Sequence, residues 1–385
     1  FDPRVLFYVA PAVAKAAMDS GVAREGIDIE QYEDRLKASL RPGGEVMRGL
    51  IDRARKRPVK VVLTDGYNER VIRAAQEIVE EGIAAPVLIG REVKVHEIAE
   101  IHGLDLEGVE IVHPVVSEEV RHEYAEALYV SRKRKGLTRA EARSRMYQLN
   151  YFAGMMVRCG DADAMVTGLT RSYYVALKEI QRVLDPRPNE RMFGLSMVIA
   201  GNRTVFIADT TVHELPTPEE LADIACQTAA KARSMGHEPR VALLSNSNFG
   251  NPRWEQADRI RDGVQELDSR QVDFEYDGEI AADVALDPEL LELYPFCRLS
   301  GPANVLIMPA LHSANISAKL LKEIGGRTVI GPLLMGLSKP AQIVPMGSTV
   351  SAIINQAAFA AHEAIRHQVA PRLQGSKAGT SRRSA

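Results

Sequence analysis

A strand–helix–strand unit beginning at Val59 constrains the fold most strongly. Residues 59–65, VKVVLTD, form a β-branched run that is typical of a buried parallel strand. An apolar helix face that includes Val71 and Ile72 follows, and residues 86–90, PVLIG, form a second apolar run. Two such strands within about 30 residues indicate a βαβ unit with a right-handed crossover. The sequence therefore predicts an α/β fold built on a parallel sheet.

Size and charge narrow the class of protein. A chain of 385 residues, 45% of them hydrophobic, can bury a large core and form two lobes. The formal net charge of −3 gives no reason to expect a general affinity for nucleic acid or membranes. No GxGxxG run follows the first strand, so a Rossmann dinucleotide site has no support there.

Cysteine and carboxylate patterns argue against a disulfide framework and a metal site. Cys159, Cys226 and Cys297 are isolated, which favours a reducing, cytoplasmic setting. Asp161 and Asp163 have no histidine or third carboxylate nearby, so we interpret them as a turn and predict no metal ligands. There is no apolar run of membrane-spanning length and no signal peptide. The chain starts at Phe1 without a methionine, and we expect it to be a piece of a longer protein.

Residues 331–354, GPLLMGLSKPAQIVPMGSTVSAII, carry the clearest functional signal. A Gly-Pro turn is followed by a Gly-x-x-Lys-Pro turn, and the run then enters an apolar helix that we expect to end near Arg366. Glycine permits close approach of the backbone to a ligand, and proline fixes turn geometry. This arrangement predicts a ligand-binding loop at a helix start.

The run resembles the C-terminal signature of phosphate acetyltransferases, which move acetyl between phosphate and coenzyme A. The matching positions are Gly331, Pro332, Gly336, Lys339, Pro340 and Gly347. The family's glutamine falls on Met335, and its Asn-Asp pair falls on Gln342 and Ile343. Its catalytic Ser-Arg pair falls on Pro345 and Met346, and a later aspartate falls on Ala352.

These replacements remove the groups that acetyl transfer needs. The reaction requires a base for the thiol and donors or a cation for the developing oxyanion. Pro345, Met346 and Ala352 supply neither, and the flanking Gly-x-x-Lys-Pro run and Gly347 pin the spacing. We therefore predict no catalytic residues in this chain.

Other positions match the family's cleft less directly. The Leu-Tyr-x-x-Arg-Lys context places Arg132 on a cleft-lining family position, although cations also suit a helix C-terminus for electrostatic reasons alone. The family's phosphate-binding arginine falls on Tyr174, with Arg171 as a displaced substitute. Asn315 and Lys319 match cleft-facing helical positions, although Lys319 is equally well explained as a solvated residue.

The first residues resemble a different family. The FDPR start, the alanine-rich helix over residues 1–23 and its stop at Gly21 are similar to the closing segment of bacterial malic enzymes. Long malic enzymes carry a phosphate acetyltransferase-like part after this segment. The two resemblances imply a two-lobed, three-layer α/β/α fold of the phosphate acetyltransferase and isocitrate dehydrogenase-like type. The expected divisions are a malic enzyme end (1–24), a connector (25–58), lobe 1 (59–190 and 334–366), lobe 2 (191–333) and a disordered tail (367–385).

Three functions remain open from the sequence. The resemblance implies a non-catalytic regulatory and oligomerisation domain of a malic enzyme, with acetyl-CoA as an inhibitory effector. NADP and a divalent metal would bind only in the catalytic part outside this chain. The resemblance also implies a homodimer through lobe 2 and a higher oligomer of the longer protein. The alternatives are an active phosphate acetyltransferase and a dimerisation domain with an empty cleft. The predicted acetyl-CoA contacts are Arg132, Asn315, Lys319, Gly331, Pro332, Met335, Met346, Gly347, Ser348 and Thr349.

Overall fold

The computed structural model describes residues 4–23, 26–29, 32, 36, 44–115, 118–200, 203–325 and 328–375. The helices are α1 Arg4–Asp19, α2 Gly44–Arg55, α3 Glu69–Glu80, α4 Glu92–Ile101, α5 Glu118–Arg132, α6 Arg139–Arg145, α7 Leu149–Cys159, α8 Tyr173–Val183, α9 Pro218–Ser234, α10 Glu255–Arg270, α11 Ala282–Leu286, α12 Pro288–Leu291, α13 Leu311–Glu323 and α14 Val350–Gly375. The strands are β1 Lys60–Leu63, β2 Ala85–Ile89, β3 Glu110–Val112, β4 Ala164–Thr167, β5 Phe193–Ala200, β6 Arg203–Ala208, β7 Arg240–Leu244, β8 Glu275–Ile280, β9 Val305–Ile307, β10 Thr328–Met335 and β11 Ala341–Ile343.

The first sheet is parallel throughout. Its strand order is β11-β4-β1-β2-β3. The central strand β1 pairs with β2 on one side and β4 on the other, so that Val61 lies opposite both Pro86 and Ala164. The βαβ unit predicted from residue 59 onward is thereby confirmed.

The second sheet is mixed and has the order β10-β5-β6-β9-β7-β8. Strand β5 runs antiparallel to both of its neighbours, β10 and β6, whereas β6, β9, β7 and β8 run parallel to one another. Strand β10 leads directly toward β11 of the first sheet, so the chain crosses between the two sheets at residues 335–341.

Helices cover both faces of the first sheet. Val61 and Leu63 on β1 pack into one apolar cluster together with α2, α3 and α14, while the intervening Val62 packs into another with α5, α7 and α8. Successive strand residues point to opposite faces, so both faces must be covered by helices. The predicted three-layer α/β/α organisation is confirmed.

Helix α2 lies within residues 25–58, the segment that we expect to be a connector. Met47, Leu50, Ile51 and Ala54 are buried in the same cluster as α14. Their spacing places them on one face of a helix, which is the pattern of a core-packing helix. The part of this segment from residue 44 onward therefore belongs to the folded core. Residues 30–31, 33–35 and 37–43 lie outside the described residues.

A helix lies near each end of the described part of the chain. Helix α1 ends before Gly21, whose φ of 75° provides the predicted stop. At the other end α14 continues to Gly375, beyond the expected end near Arg366. The remainder of the predicted tail, residues 376–385, lies outside the described part. Within the described ranges, no helix combines the length and apolar character needed to cross a bilayer.

Candidate functional site

A cavity of about 460 Å³ lies at the start of α14, opposite α13 and β10. We call it the α14 pocket. It is lined by Lys322, Thr328, Val329, Ile330, Gly331, Val344, Pro345, Met346, Gly347, Ser348, Thr349, Ala352, Asn355 and Gln356. The volume lies within the range of small-molecule sites in proteins.

Glycine and capping residues shape the rim of the α14 pocket. Gly331 has φ of 124°, and a Cβ there would lie 2.8 Å from the Leu195 carbonyl oxygen, so only glycine fits. After β11, the Ser348 hydroxyl donates to the Pro345 carbonyl at 2.7 Å. The Thr349 hydroxyl accepts from the Ala352 amide at 3.2 Å and caps α14. These bonds fix the loop in position before any ligand binds.

Two buried carboxamides also line the α14 pocket. Asn355 and Gln356 are 7% and 5% exposed. Gln356 Nε2 donates to the Pro332 carbonyl at 3.2 Å, whereas Gln356 Oε1 and Asn355 Oδ1 have no hydrogen-bond partner. Buried polar atoms are normally satisfied, so these two oxygens are available to accept hydrogen bonds from a molecule in the pocket.

The pocket contains little ionisable chemistry. Among its described lining residues, Lys322 is the only one with an ionisable side chain. Residues 326–327, which separate α13 from β10, lie outside the described residues. Pro345, Met346 and Ala352, the positions of the family's serine, arginine and aspartate, all line the pocket. These three side chains can contact a ligand but cannot accept a proton or stabilise an oxyanion.

The structure brings together half of the predicted contact residues. Gly331, Met346, Gly347, Ser348 and Thr349 all line the α14 pocket. Pro332 lies next to it and accepts the hydrogen bond from Gln356.

Three further predicted contacts do not line the pocket. Met335 is buried in the core, where it pairs with Phe193 across the second sheet. Asn315 donates toward the Thr210 carbonyl at 3.5 Å, and Lys319 is exposed on α13. Lys322, one turn further along that helix, reaches the pocket instead.

Arg132 lies away from the α14 pocket. It is 6% exposed, its Nη1 lies 2.7 Å from Asp185 Oδ1, and its Nε donates to the Arg182 carbonyl at 2.8 Å. It borders a separate cavity of about 200 Å³ together with Arg145 and Arg182. Arg132 therefore ties the end of α5 to the end of α8.

Arg171, the displaced substitute for the family's phosphate-binding arginine, is also paired. Its Nη1 lies 2.7 Å from Glu179 Oε1 on α8, and Glu179 is largely buried. Tyr174, at the family's own position, is exposed. Lys178 Nζ lies 5.3 Å from the centroid of its ring, which is within the distance of a cation–π contact. Among the described residues, no group of three His, Cys, Asp or Glu side chains is arranged to hold a metal ion.

Sequence reasoning missed Lys322, Asn355 and Gln356. Lys322 lies seven residues after Asn315, a spacing of about two helical turns, so helical periodicity carried a signal for it. Asn355 and Gln356 stand within the buried run of α14 from Ile353 to Ala361, whose other members are all apolar. Polar residues in such a position are an indication of a site.

Solved structures define the class of protein. A phosphotransacetylase from Streptococcus pyogenes is 29% identical, with a TM-score of 0.79 over 84% of this chain and 98% of that chain. The EutD phosphotransacetylase from Staphylococcus aureus has a TM-score of 0.74 at 28% identity, over 83% of this chain and 98% of that one. The fold is that of the phosphotransacetylases.

The family follows from the sequence model. The phosphate acetyl/butaryl transferase family model matches residues 45–361, and the chain belongs to this family. It is also 47% identical to an NADP-dependent malic enzyme from Rhizobium meliloti, over 94% of this chain and 48% of that protein. The chain spans about half the length of the malic enzymes it matches, and it corresponds to their phosphate acetyltransferase-like part.

Proposed function

We propose that this chain is the regulatory and assembly part of a bacterial malic enzyme and that it binds acetyl-CoA without transferring the acetyl group. One observation carries the proposal. The α14 pocket keeps the glycine turns and helix start of a phosphotransacetylase, but Pro345, Met346 and Ala352 occupy the positions of the family's reactive groups. A pocket that binds a ligand without reacting with it suits a sensor.

The lining of the pocket fits an acyl-CoA. The capped start of α14 and Lys322 suit phosphate groups at the rim. Met346 is 61% exposed and offers a polarisable apolar surface on which an acetyl group can rest. The volume of about 460 Å³ accommodates part of the ligand, with the remainder lying across the rim.

The expected effect is inhibition of the longer protein. Oxidative decarboxylation of malate gives pyruvate, which feeds acetyl-CoA synthesis, so a full acetyl-CoA pool would slow the reaction. Allosteric pairs of sites are typically coupled by about 1–3 kcal/mol. NADP and a divalent metal would be bound by the catalytic part outside this chain. The three free cysteines suit a cytoplasmic setting for the whole protein.

Calorimetry and an activity assay test the proposal together. Acetyl-CoA should bind the chain with a saturable isotherm, and acetyl phosphate formation from acetyl-CoA and phosphate should stay at background. Loss of one oxyanion donor typically costs about 10²–10³ in turnover, and several groups are replaced here. Ready acetyl transfer would instead support an active phosphate acetyltransferase. An absence of acetyl-CoA binding would reduce the role to assembly.

We further propose that two copies pair through the second lobe, residues 191–333. Ile316 and Leu320 of helix α13 and its C-cap residue Ile324 are exposed to solvent at a spacing of four residues. Such a stripe on one helix face is typical of a surface that packs against another molecule. A second interface in the catalytic part would build a higher symmetric oligomer of the longer protein.

A further inference from the structure

We propose that Asn355 and Gln356 bind the amide N–H groups of the ligand's pantetheine arm, so that the arm enters the α14 pocket and the nucleotide stays at the rim. This subsite rests on the proposed acetyl-CoA function and specifies which part of the ligand lies where. No position in the family signature of residues 331–354 points to it, because both residues follow that run.

The hydrogen bonds around Gln356 determine which of its atoms is available. Its Nε2 donates to the Pro332 carbonyl at 3.2 Å, and a carbonyl oxygen can only accept. The amide orientation is thereby set, and Oε1 remains as an acceptor without a donor. The pocket therefore offers an acceptor to a ligand donor at this position.

Asn355 adds a second acceptor beside the first. Its Oδ1 is also buried without a partner, and the two residues are consecutive on α14. A phosphate or carboxylate group supplies oxygens, which would face these carbonyls without a hydrogen. A secondary amide supplies an N–H, and the pantetheine arm of coenzyme A carries two of them. The carboxamides therefore favour the neutral arm over the charged end of the ligand.

The charges of the pocket agree with this orientation. Lys322 is exposed at the end of α13, whereas both carboxamides are more than nine-tenths buried. A ligand with phosphates at one end and amides in the middle satisfies both groups at once. The acetyl end then lies against the replaced catalytic positions.

The test measures three ligands against the wild-type chain and two variants. Asn355→Leu removes the acceptor while keeping a similar volume, and Gln148→Leu makes an amide-to-alkyl change on an exposed residue outside the pocket. The ligands are acetyl-CoA, S-acetyl-phosphopantetheine, which has the amides without the nucleotide, and adenosine 3′,5′-bisphosphate, which has the phosphates without the amides. Affinities come from calorimetry, and the melting temperature of each empty variant is recorded.

Asn355→Leu should weaken the binding of acetyl-CoA and of S-acetyl-phosphopantetheine by about three- to tenfold, which is the range for the loss of one neutral hydrogen bond. It should leave adenosine 3′,5′-bisphosphate unchanged, and Gln148→Leu should change none of the three. Because Oδ1 has no partner in the empty protein, Asn355→Leu should not lower the melting temperature. Equal acetyl-CoA affinity in Asn355→Leu and wild type, or equal weakening of all three ligands, would overturn the subsite alone. Failure of the wild type to bind any of them would overturn the proposed function as well.

Discussion

At the residue scale, a buried ion pair joins the two parts of the molecule. Lys231 Nζ on α9 lies 2.7 Å from Glu363 Oε1 on α14, and both residues are buried. Burial opposes ionisation of the Glu363 carboxyl, but the neighbouring His362 ring and the charge of Lys231 together hold its pKa well below its ordinary value. We therefore treat the two side chains as a charged pair.

Breaking this pair from one side should be costly. Lys231→Met removes the nearest cation from the buried Glu363 carboxylate and leaves Arg366 at 3.3 Å and Arg187 at 3.8 Å. We expect the free energy of unfolding to fall by up to about 3–5 kcal/mol. Urea denaturation measures the change. The exposed pair Arg139–Glu126 gives a matched control, since Arg139→Met should cost less than about 1 kcal/mol. The double variant Lys231→Met/Glu363→Leu should recover much of the loss, and a double variant as unstable as the single one would contradict this reading.

The burial of His367, close to the same ion pair, predicts that the stability of the fold depends on pH. Burial, with a contribution from the charge of Arg187, lowers the pKa of His367 to about 4. An unfolded histidine titrates near 6.5, so the unfolded chain binds more protons between these values. Stability should therefore fall as the pH drops from about 6.5 to about 4.

Urea midpoints recorded across that interval test the assignment. His367→Gln should reduce the slope of stability against pH, whereas His312→Gln, on an exposed residue of α13, should leave it unchanged. Burial also lowers the pKa of His362, so part of the slope should persist in the His367 variant. If the slope of stability against pH is the same in His367→Gln as in the wild type, His367 is not a source of the pH dependence.

At the element scale, the glycine after β10 and the glycine before α14 differ in how much space surrounds them. Gly336 follows β10 with φ of 77°, and a Cβ there would lie 1.8 Å from the Arg191 carbonyl oxygen. Gly347 precedes α14 with φ of 83°, and a Cβ there would meet nothing within 4 Å. Both have the left-handed backbone that favours glycine, but only Gly336 also lacks space.

Alanine at these positions should therefore have unequal effects. Gly347→Ala should cost about 1 kcal/mol from backbone strain alone. Gly336→Ala adds a clash with backbone and should cost more than about 2 kcal/mol. Chemical denaturation of both variants measures the difference, and equal costs would show that β10 and its neighbours can move to accept the methyl group.

At the scale of the whole molecule, the exposed stripe on α13 predicts association. Leu320→Lys places a charge in the stripe of Ile316, Leu320 and Ile324, and it should shift a dimer to monomer as measured by light scattering. Glu92→Lys adds a lysine on an exposed residue of α4, in the first lobe, and should leave the dimer intact. A wild-type chain that is monomeric at the same concentration, or a dimeric Leu320→Lys variant, would rule out this interface.

The sequence by itself determined the α/β class, the parallel pair of β1 and β2, the family, and five of the residues around the α14 pocket. These features depend on short-range patterns: strand and helix periodicity, glycine and proline turns, and the order of residues in one continuous run. Such patterns can be recognised in the sequence because a given local backbone geometry requires particular residue types, whatever the position of the segment in the fold.

Only the tertiary structure decided which separate segments meet. It placed Arg132 beside Asp185 and Arg182 instead of in the pocket, buried Met335, and brought Lys322 rather than Lys319 to the rim. It also made α2 part of the core and left Asn355 and Gln356 as unsatisfied acceptors. These outcomes depend on how helices rotate and pack against the two sheets, and spacing along one chain does not specify that rotation.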